Sequence, residues 1–100
     1  LLGNFNEILN EIQKMQQQLK NMTVEARTEK GTARVVMNGH QEVVEFNLDP
    51  KFIKTASVEE IQKVVSGVFE RAIKESKQMV KDEAAKITGG LGLPNIPGLF

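Results

Sequence analysis

The chain has no cysteine, tryptophan or tyrosine, and only one histidine and three prolines in 100 residues. Each shortage closes off a class of function. Without cysteine there are no disulfides, iron-sulfur clusters or thiolate zinc sites, and the composition suits a reducing compartment. A lone His40 offers no imidazole pair to a metal and no triad beside a nucleophile; next to a turn it reads as a solvated residue. No apolar run approaches the ~20 residues of a membrane span and no signal-peptide pattern is present, so the membrane is not an expected partner and the cytoplasm is the expected compartment. Net charge is also missing: 13 basic residues balance 13 acidic ones. The balance holds within residues 1–23, 24–56 and 57–100, so bulk attraction to phosphate is not a property of the composition. The 40% apolar content supports one domain with a modest core and no large enclosed pocket. An enzyme acting on a small-molecule substrate is therefore disfavoured. The carboxylates are scattered without a nucleophile, base and orienter among them, and no catalytic residue, metal ligand or cofactor is predicted. Because the first residue is Leu1 and not Met, a few residues are expected to precede it.

What is present is a strong turn pattern between Thr23 and Leu48. Lys30-Gly31 and Asn38-Gly39 each separate alternating runs, and Asn-Gly is the strongest short hairpin signal because both residues tolerate positive φ. Two-residue loops would pair Ala26 with Val35, Thr28 with Ala33, and Ala33 with Val44. The register then gathers Val24, Ala26, Thr28, Ala33, Val35, Met37, Val44, Phe46 and Leu48 on one side of a three-stranded antiparallel meander. Glu25, Arg27, Glu29, Arg34, Gln41, Val43 and Glu45 fall on the other side, with Arg27 opposite Arg34.

A long helix is expected on each flank, which makes the class α+β. In the first, Phe5, Ile8, Ile12, Met15, Leu19 and Met22 recur at alternating spacings of three and four, a narrow seam of the kind a partner helix covers. Asn4 is its expected N-cap, and its remaining surface is rich in Gln and Asn. The second opens with a capping box, Ser57 and Glu60, after Asp49-Pro50 ends the last strand. Ile61, Val64, Val65, Val68, Phe69, Ala72 and Ile73 form its broad apolar face. Beyond Ile73 only Met79, Val80 and Ile87 are large and apolar before Gly89-Gly90, where the helix is expected to stop. A helix from Val58 to Ile87 runs ~45 Å, against a radius of gyration of ~13 Å for a 100-residue globule, so its charged C-terminal half should project.

On that half Lys74, Lys77 and Lys81 lie close together at 100° per residue, with Lys63 at the angle of Lys81. The stripe reads equally as a solvated face laced with pairs such as Glu70/Lys74 and as a surface for phosphate. Gln13, Gln17 and Gln78 have amides able to read adenine edges. Because two helices of one chain cannot cover both the seam and the sheet, a homodimer is expected. Residues 1–88 form the folded domain, and residues 89–100 are a Gly/Pro-rich tail whose leucines and Phe100 suit docking better than free solvation.

Several short motifs recur in fixed order: Leu2-Gly3-Asn4, Lys14-Met15-Gln16, Val36-Met37-Asn38-Gly39, Leu48-Asp49-Pro50, Val64-Val65 with Ala72, and Gly89-Gly90-Leu91 through Pro97-Gly98-Leu99-Phe100. With them the chain resembles, nearly end to end, the YbaB/EbfC family of small bacterial nucleoid-associated proteins. It departs from the family pattern at Glu70-Arg71, where an Asn-Asp pair is common, and at Ser66-Gly67, where alanines are usual. The resemblance implies an α-β-β-β-α chain that forms a tweezer-like homodimer and binds double-stranded DNA through projecting helical arms, in the nucleoid, with a role in nucleoid organisation and gene regulation. On this reading Lys14, Lys20, Lys63, Arg71, Lys74, Lys77 and Lys81 contact DNA, and Ile8, Ile12, Met15, Leu19 and Met22 form the dimer. The competing class is a dimeric protein-binding adaptor or chaperone-like module without DNA binding.

Overall fold

The computed structural model describes the backbone of residues 2–90 and the side chains of residues 5–87. The order is α1 (Leu2–Asn21), β1 (Thr23–Arg27), β2 (Ala33–Asn38), β3 (Val43–Leu48), α2 (Pro50–Thr55) and α3 (Val58–Gly90). The strands form one antiparallel sheet in the order β1-β2-β3. This is the expected α-β-β-β-α meander with one added short helix. Asp49 caps α2, its carboxylate accepting from the Lys51 amide at 3.1 Å, and Pro50 occupies the first turn, where its missing N–H costs nothing. The Asp-Pro pair thus starts a helix as well as ending a strand. Ser57 caps α3 as expected, its hydroxyl accepting from the Glu60 amide at 3.1 Å. The tail beyond Gly90 lies outside the described residues, as does the side chain of Asn4. The Asn4 backbone is already helical, because α1 begins at Leu2. Gly89 and Gly90 do not stop α3 at Thr88: the helix includes both, since a glycine costs only ~1 kcal/mol in a helix.

The first hairpin has the expected register, Ala26 opposite Val35 and Arg27 opposite Arg34. Its turn is longer than two residues. The Gly31 amide donates to the Thr28 carbonyl at 2.9 Å, and Gly31 alone takes positive φ, at 70°. The Thr28 hydroxyl accepts from the Thr32 and Ala33 amides, at 2.9 and 3.2 Å.

The second hairpin departs from expectation. Ala33 lies opposite Leu48 and not Val44, and a bulge intervenes at Val36/Met37. Asn38 and Gly39 do not form a two-residue turn, because the Asn38 carboxamide oxygen accepts from the amides of both His40 and Glu42, at 2.9 and 3.0 Å, and draws out a longer loop. The positive φ falls on Gln41, at 59°. Such a backbone disfavours a side chain, and the Gln41 amide holds it by donating to the Gly39 carbonyl at 3.0 Å and the Ser76 hydroxyl at 2.9 Å. Between Ala33 and Val36 the shift is four residues, an even number, so Val35 and Phe46 still share the inner face; past the bulge it is three, which sets Val43, expected on the outer side, opposite Met37.

Gly39 matters for a reason other than its dihedrals. Its amide donates to the Leu19 carbonyl at 2.8 Å, and a Cβ placed there would meet Leu19 Cβ at 2.7 Å and the Leu19 carbonyl oxygen at 2.8 Å. Gly39→Val is therefore expected to destabilise by about 1–3 kcal/mol through overpacking, lowering the thermal midpoint by at least ~4 °C. An unchanged midpoint in a thermal melt would show that the turn does not press on α1.

Two clusters make the core. Ala26, Ala33, Val35 and Met37 of the sheet bury against Val68 and Ala72 of α3. Met15 and Leu19 of α1 bury against Ala84, with Met22, Met79, Val80 and Ile87 around them. Val68, Ala72, Ser76, Val80 and Ala84 recur every fourth residue, and each step of ~400° carries the stripe ~40° round the axis. The same helix therefore faces the sheet early and α1 late. Its C-terminal half does leave the sheet, but as one member of a two-helix arm. The radius of gyration is 17.9 Å and the extents are 62 × 20 × 17 Å.

Candidate nucleic-acid interface

The arm presents most of the basic residues singled out from the sequence. Lys14, Lys20, Lys63, Arg71, Lys74, Lys77 and Lys81 are all exposed. Among the described residues no carboxylate lies within 4.0 Å of the charged groups of Lys20, Lys63, Arg71, Lys74, Lys77 or Lys81. In particular the Glu70/Lys74 pair of a laced helix face is not formed. Lys14 does pair, with Glu11 at 3.6 Å. Lys86 is also engaged: Glu83 at 2.8 Å raises its pKa, mainly through their hydrogen bond.

The winding stripe decides which lysines come together. Because the buried face of α3 has turned toward α1 by Val80 and Ala84, Lys77 and Lys81 border the α1 contact and line one notch with Gln16 of α1 and His40 and Gln41 of the β2–β3 turn. Lys63 is separate, ~16 Å up the helix from Lys74, in a depression that also holds Glu59, Glu60 and Glu70. Of the glutamines suited to reading bases, Gln78 is tied to Asp82 at 3.0 Å, whereas Gln13 and Gln17 are exposed on α1.

The other basic spot is closed. Arg27 and Arg34 sit opposite one another on the outer sheet face, and the Glu25 carboxylate takes both, at 3.0 and 2.9 Å. Arg34 also reaches Glu45 at 2.9 Å and Asn47 at 3.3 Å. The hydrogen bond from Arg34 is the main reason the Glu25 carboxyl is held below the usual carboxylate range. These guanidiniums are occupied by protein.

The seam of α1 is spent largely within the chain. Met15 and Leu19 are buried against α3 and Met22 is half-buried beside them. Ile8 and Ile12 are half-buried further along, while Phe5 and Leu9 are exposed. A different apolar surface stays open: α3 packs over β1 and β2, leaving Val43, Val44 and Phe46 of β3 exposed with Ile73 of α3. Phe46 is anchored at one edge by Phe69, ring centres 5.1 Å apart.

Among the described residues no three His, Asp or Glu side chains are placed so that they could hold a metal ion, and none of their helices is long and apolar enough to cross a membrane. What remains is a small α+β scaffold carrying a two-helix arm with an unpaired basic flank, the class of structure suited to an extended polyanion. Comparison with known proteins agrees. The sequence model of the YbaB/EbfC DNA-binding family matches residues 1–91, and the chain belongs to that family. It is 37% identical, over its whole length and 87% of the relative's, to a nucleoid-associated protein of Caldanaerobacter subterraneus. A nucleoid-associated protein of Desulforamulus reducens is also 37% identical, across 98% of this chain and 97% of its own. An uncharacterized Helicobacter pylori protein of known crystal structure shares the fold, with a TM-score of 0.74 at 18% identity over 85% of this chain and 89% of its own. The family is a DNA-binding family, not an enzyme family.

Proposed function

We propose that this protein is a nucleoid-associated protein that binds double-stranded DNA as a homodimer, gripping the sugar-phosphate backbone with its α1–α3 arms. The observation that carries the reading is the set of cations on the arm, Lys74, Lys77 and Lys81 on α3 and Lys20 on α1, that have no carboxylate within 4.0 Å among the described residues, in a chain whose net charge is zero. A neutral protein that leaves several lysines without a carboxylate along one projecting element concentrates positive potential there. The family membership and the names of the relatives support the same partner and a place in the nucleoid; a role in nucleoid organisation and gene regulation completes this reading.

The dimer contact that fits best is the β3 side of the sheet. A strand with an open edge and exposed Val44 and Phe46 pairs readily with its own copy about a two-fold axis. Of the residues assigned to dimerisation from the sequence, Ile8 and Ile12 keep surface for a partner, whereas Met15, Leu19 and Met22 have theirs in α3. Sedimentation should give twice the 11.1 kDa chain mass.

Anisotropy titration of unrelated random duplexes at two salt concentrations tests the function. Similar affinities for all of them, falling steeply with salt, are expected, because phosphate contacts release counterions whatever the sequence. A protein-binding adaptor shows neither the binding nor the slope.

A further inference from the structure

We propose that His40, in the turn between β2 and β3, is a proton-dependent phosphate contact that completes a site with Lys77 and Lys81 for one backbone phosphate of duplex DNA. This rests on the DNA-binding reading and adds to it a residue outside the helices. The turn is not a free loop: it is wedged against both helices of the arm. Gly39 is bonded to α1 through the Leu19 carbonyl, the Asn38 amide nitrogen donates to the Lys20 carbonyl at 3.1 Å, and Ser76 of α3 donates to the Asn38 carbonyl at 2.6 Å. His40 is thereby held over a notch of about 540 Å3 that Lys77 and Lys81 border from α3.

The hydrogen bonding of the ring fixes where its proton goes. His40 Nε2 lies 2.7 Å from the carbonyl oxygen of Gln16. A carbonyl only accepts, so Nε2 carries hydrogen and the lone pair of the neutral ring is on Nδ1. Protonation at Nδ1 leaves the anchoring bond intact and creates a second N–H donor on an exposed, positively charged ring. A phosphodiester oxygen accepts from such a group with a charge-assisted bond.

The surroundings make the proton and the phosphate help one another. From α3, Lys77 and Lys81 line the notch with no ion-pair partner among the described residues; from α1 comes the Gln16 carbonyl, with Lys20 four residues further along that helix. In the turn itself Glu42 is the one acid, and its carboxylate already accepts from the Asn38 amide nitrogen at 2.9 Å. A phosphate bound between these cations and the ring favours the charged form of the ring. The complex takes up a proton relative to the free protein. Affinity accordingly rises as pH falls through the range where histidine titrates, and the gain is lost as pH rises.

The experiment titrates a labelled random duplex with tag-free wild type and with His40→Gln at about pH 6 and about pH 8 at constant ionic strength. Glutamine retains a donor for the Gln16 carbonyl but has no charge to gain. Wild type should bind more tightly at the lower pH by a factor on the order of ten, and H40Q should show no such gain between the two pH values. Because His40 is the one histidine in the chain, its ring C2 proton also gives a direct reading that does not depend on the variant. Its titration midpoint should move upward when DNA is added. Equal wild-type affinity at the two pH values, the same gain in H40Q, or a midpoint indifferent to DNA overturns the proposal while leaving DNA binding standing. Absence of binding at either pH overturns both.

Discussion

Leu19→Asp should abolish the folded arm. Leu19 is 2% exposed and packs with Met15 and Ala84 inside a ring formed by Met22, Met79, Val80 and Ile87. Removing a buried leucine side chain costs about 2–5 kcal/mol, and placing an unpaired carboxylate among methionines and aliphatic residues adds several more. The total rivals the ~5–15 kcal/mol that holds a domain of this size together. Far-UV circular dichroism should show the helical signal collapse at 25 °C, whereas Leu19→Met, which conserves volume, should cost less than ~1.5 kcal/mol. The same acid at Leu9, 41% exposed on the same helix, should cost far less. Near-equal effects at positions 9 and 19 would place the seam in a surface contact and not in the chain's own core.

Replacing Lys74, Lys77 and Lys81 together with Gln should weaken binding to any duplex on the order of 10²-fold at low salt while leaving the fold intact. All three are exposed and have no carboxylate within 4.0 Å among the described residues, so the protein loses no internal ion pair. A phosphate contact supplies roughly one released counterion, and removing three per arm removes that share of the electrostatic free energy without changing sequence preference. Arg27→Gln on the outer sheet face, already paired with Glu25, serves as the contrast and should leave affinity nearly unchanged.

Much of this architecture is legible in the sequence, and the exceptions have identifiable causes. The three- and four-residue spacing of Met15, Leu19 and Met22 announces an apolar seam, but spacing does not name what fills it. The partner is α3 of the same chain because the buried stripe winds around that helix, a consequence of the four-residue recurrence of Val68, Ala72, Ser76, Val80 and Ala84. Ala and Ser at three of those positions carry little hydrophobic signal, so the second half of α3 reads as a free charged helix. The sheet's inner face follows from alternation, and between Ala33 and Val36 it survives a wrong second register because the error there is an even number of residues; past the bulge the error is odd and Val43 comes opposite Met37. Asn38-Gly39 is misleading for a chemical reason: the asparagine side chain takes two amides of its own loop, and the glycine is required by Leu19 and not by its φ. His40 looks like a solvated turn residue until the turn is seen wedged between two helices. Its only sequence signal is position, one residue past a glycine.

The central claim, that phosphate contacts lie on the arm, is tested most directly by plotting log affinity against log salt for wild type and the Lys74/Lys77/Lys81→Gln variant on one duplex. The slope should flatten by about three units for each arm that engages the DNA, since each contacting lysine contributes about one. A variant with the wild-type slope and affinity contradicts the claim and returns those lysines to an ordinary solvated helix face.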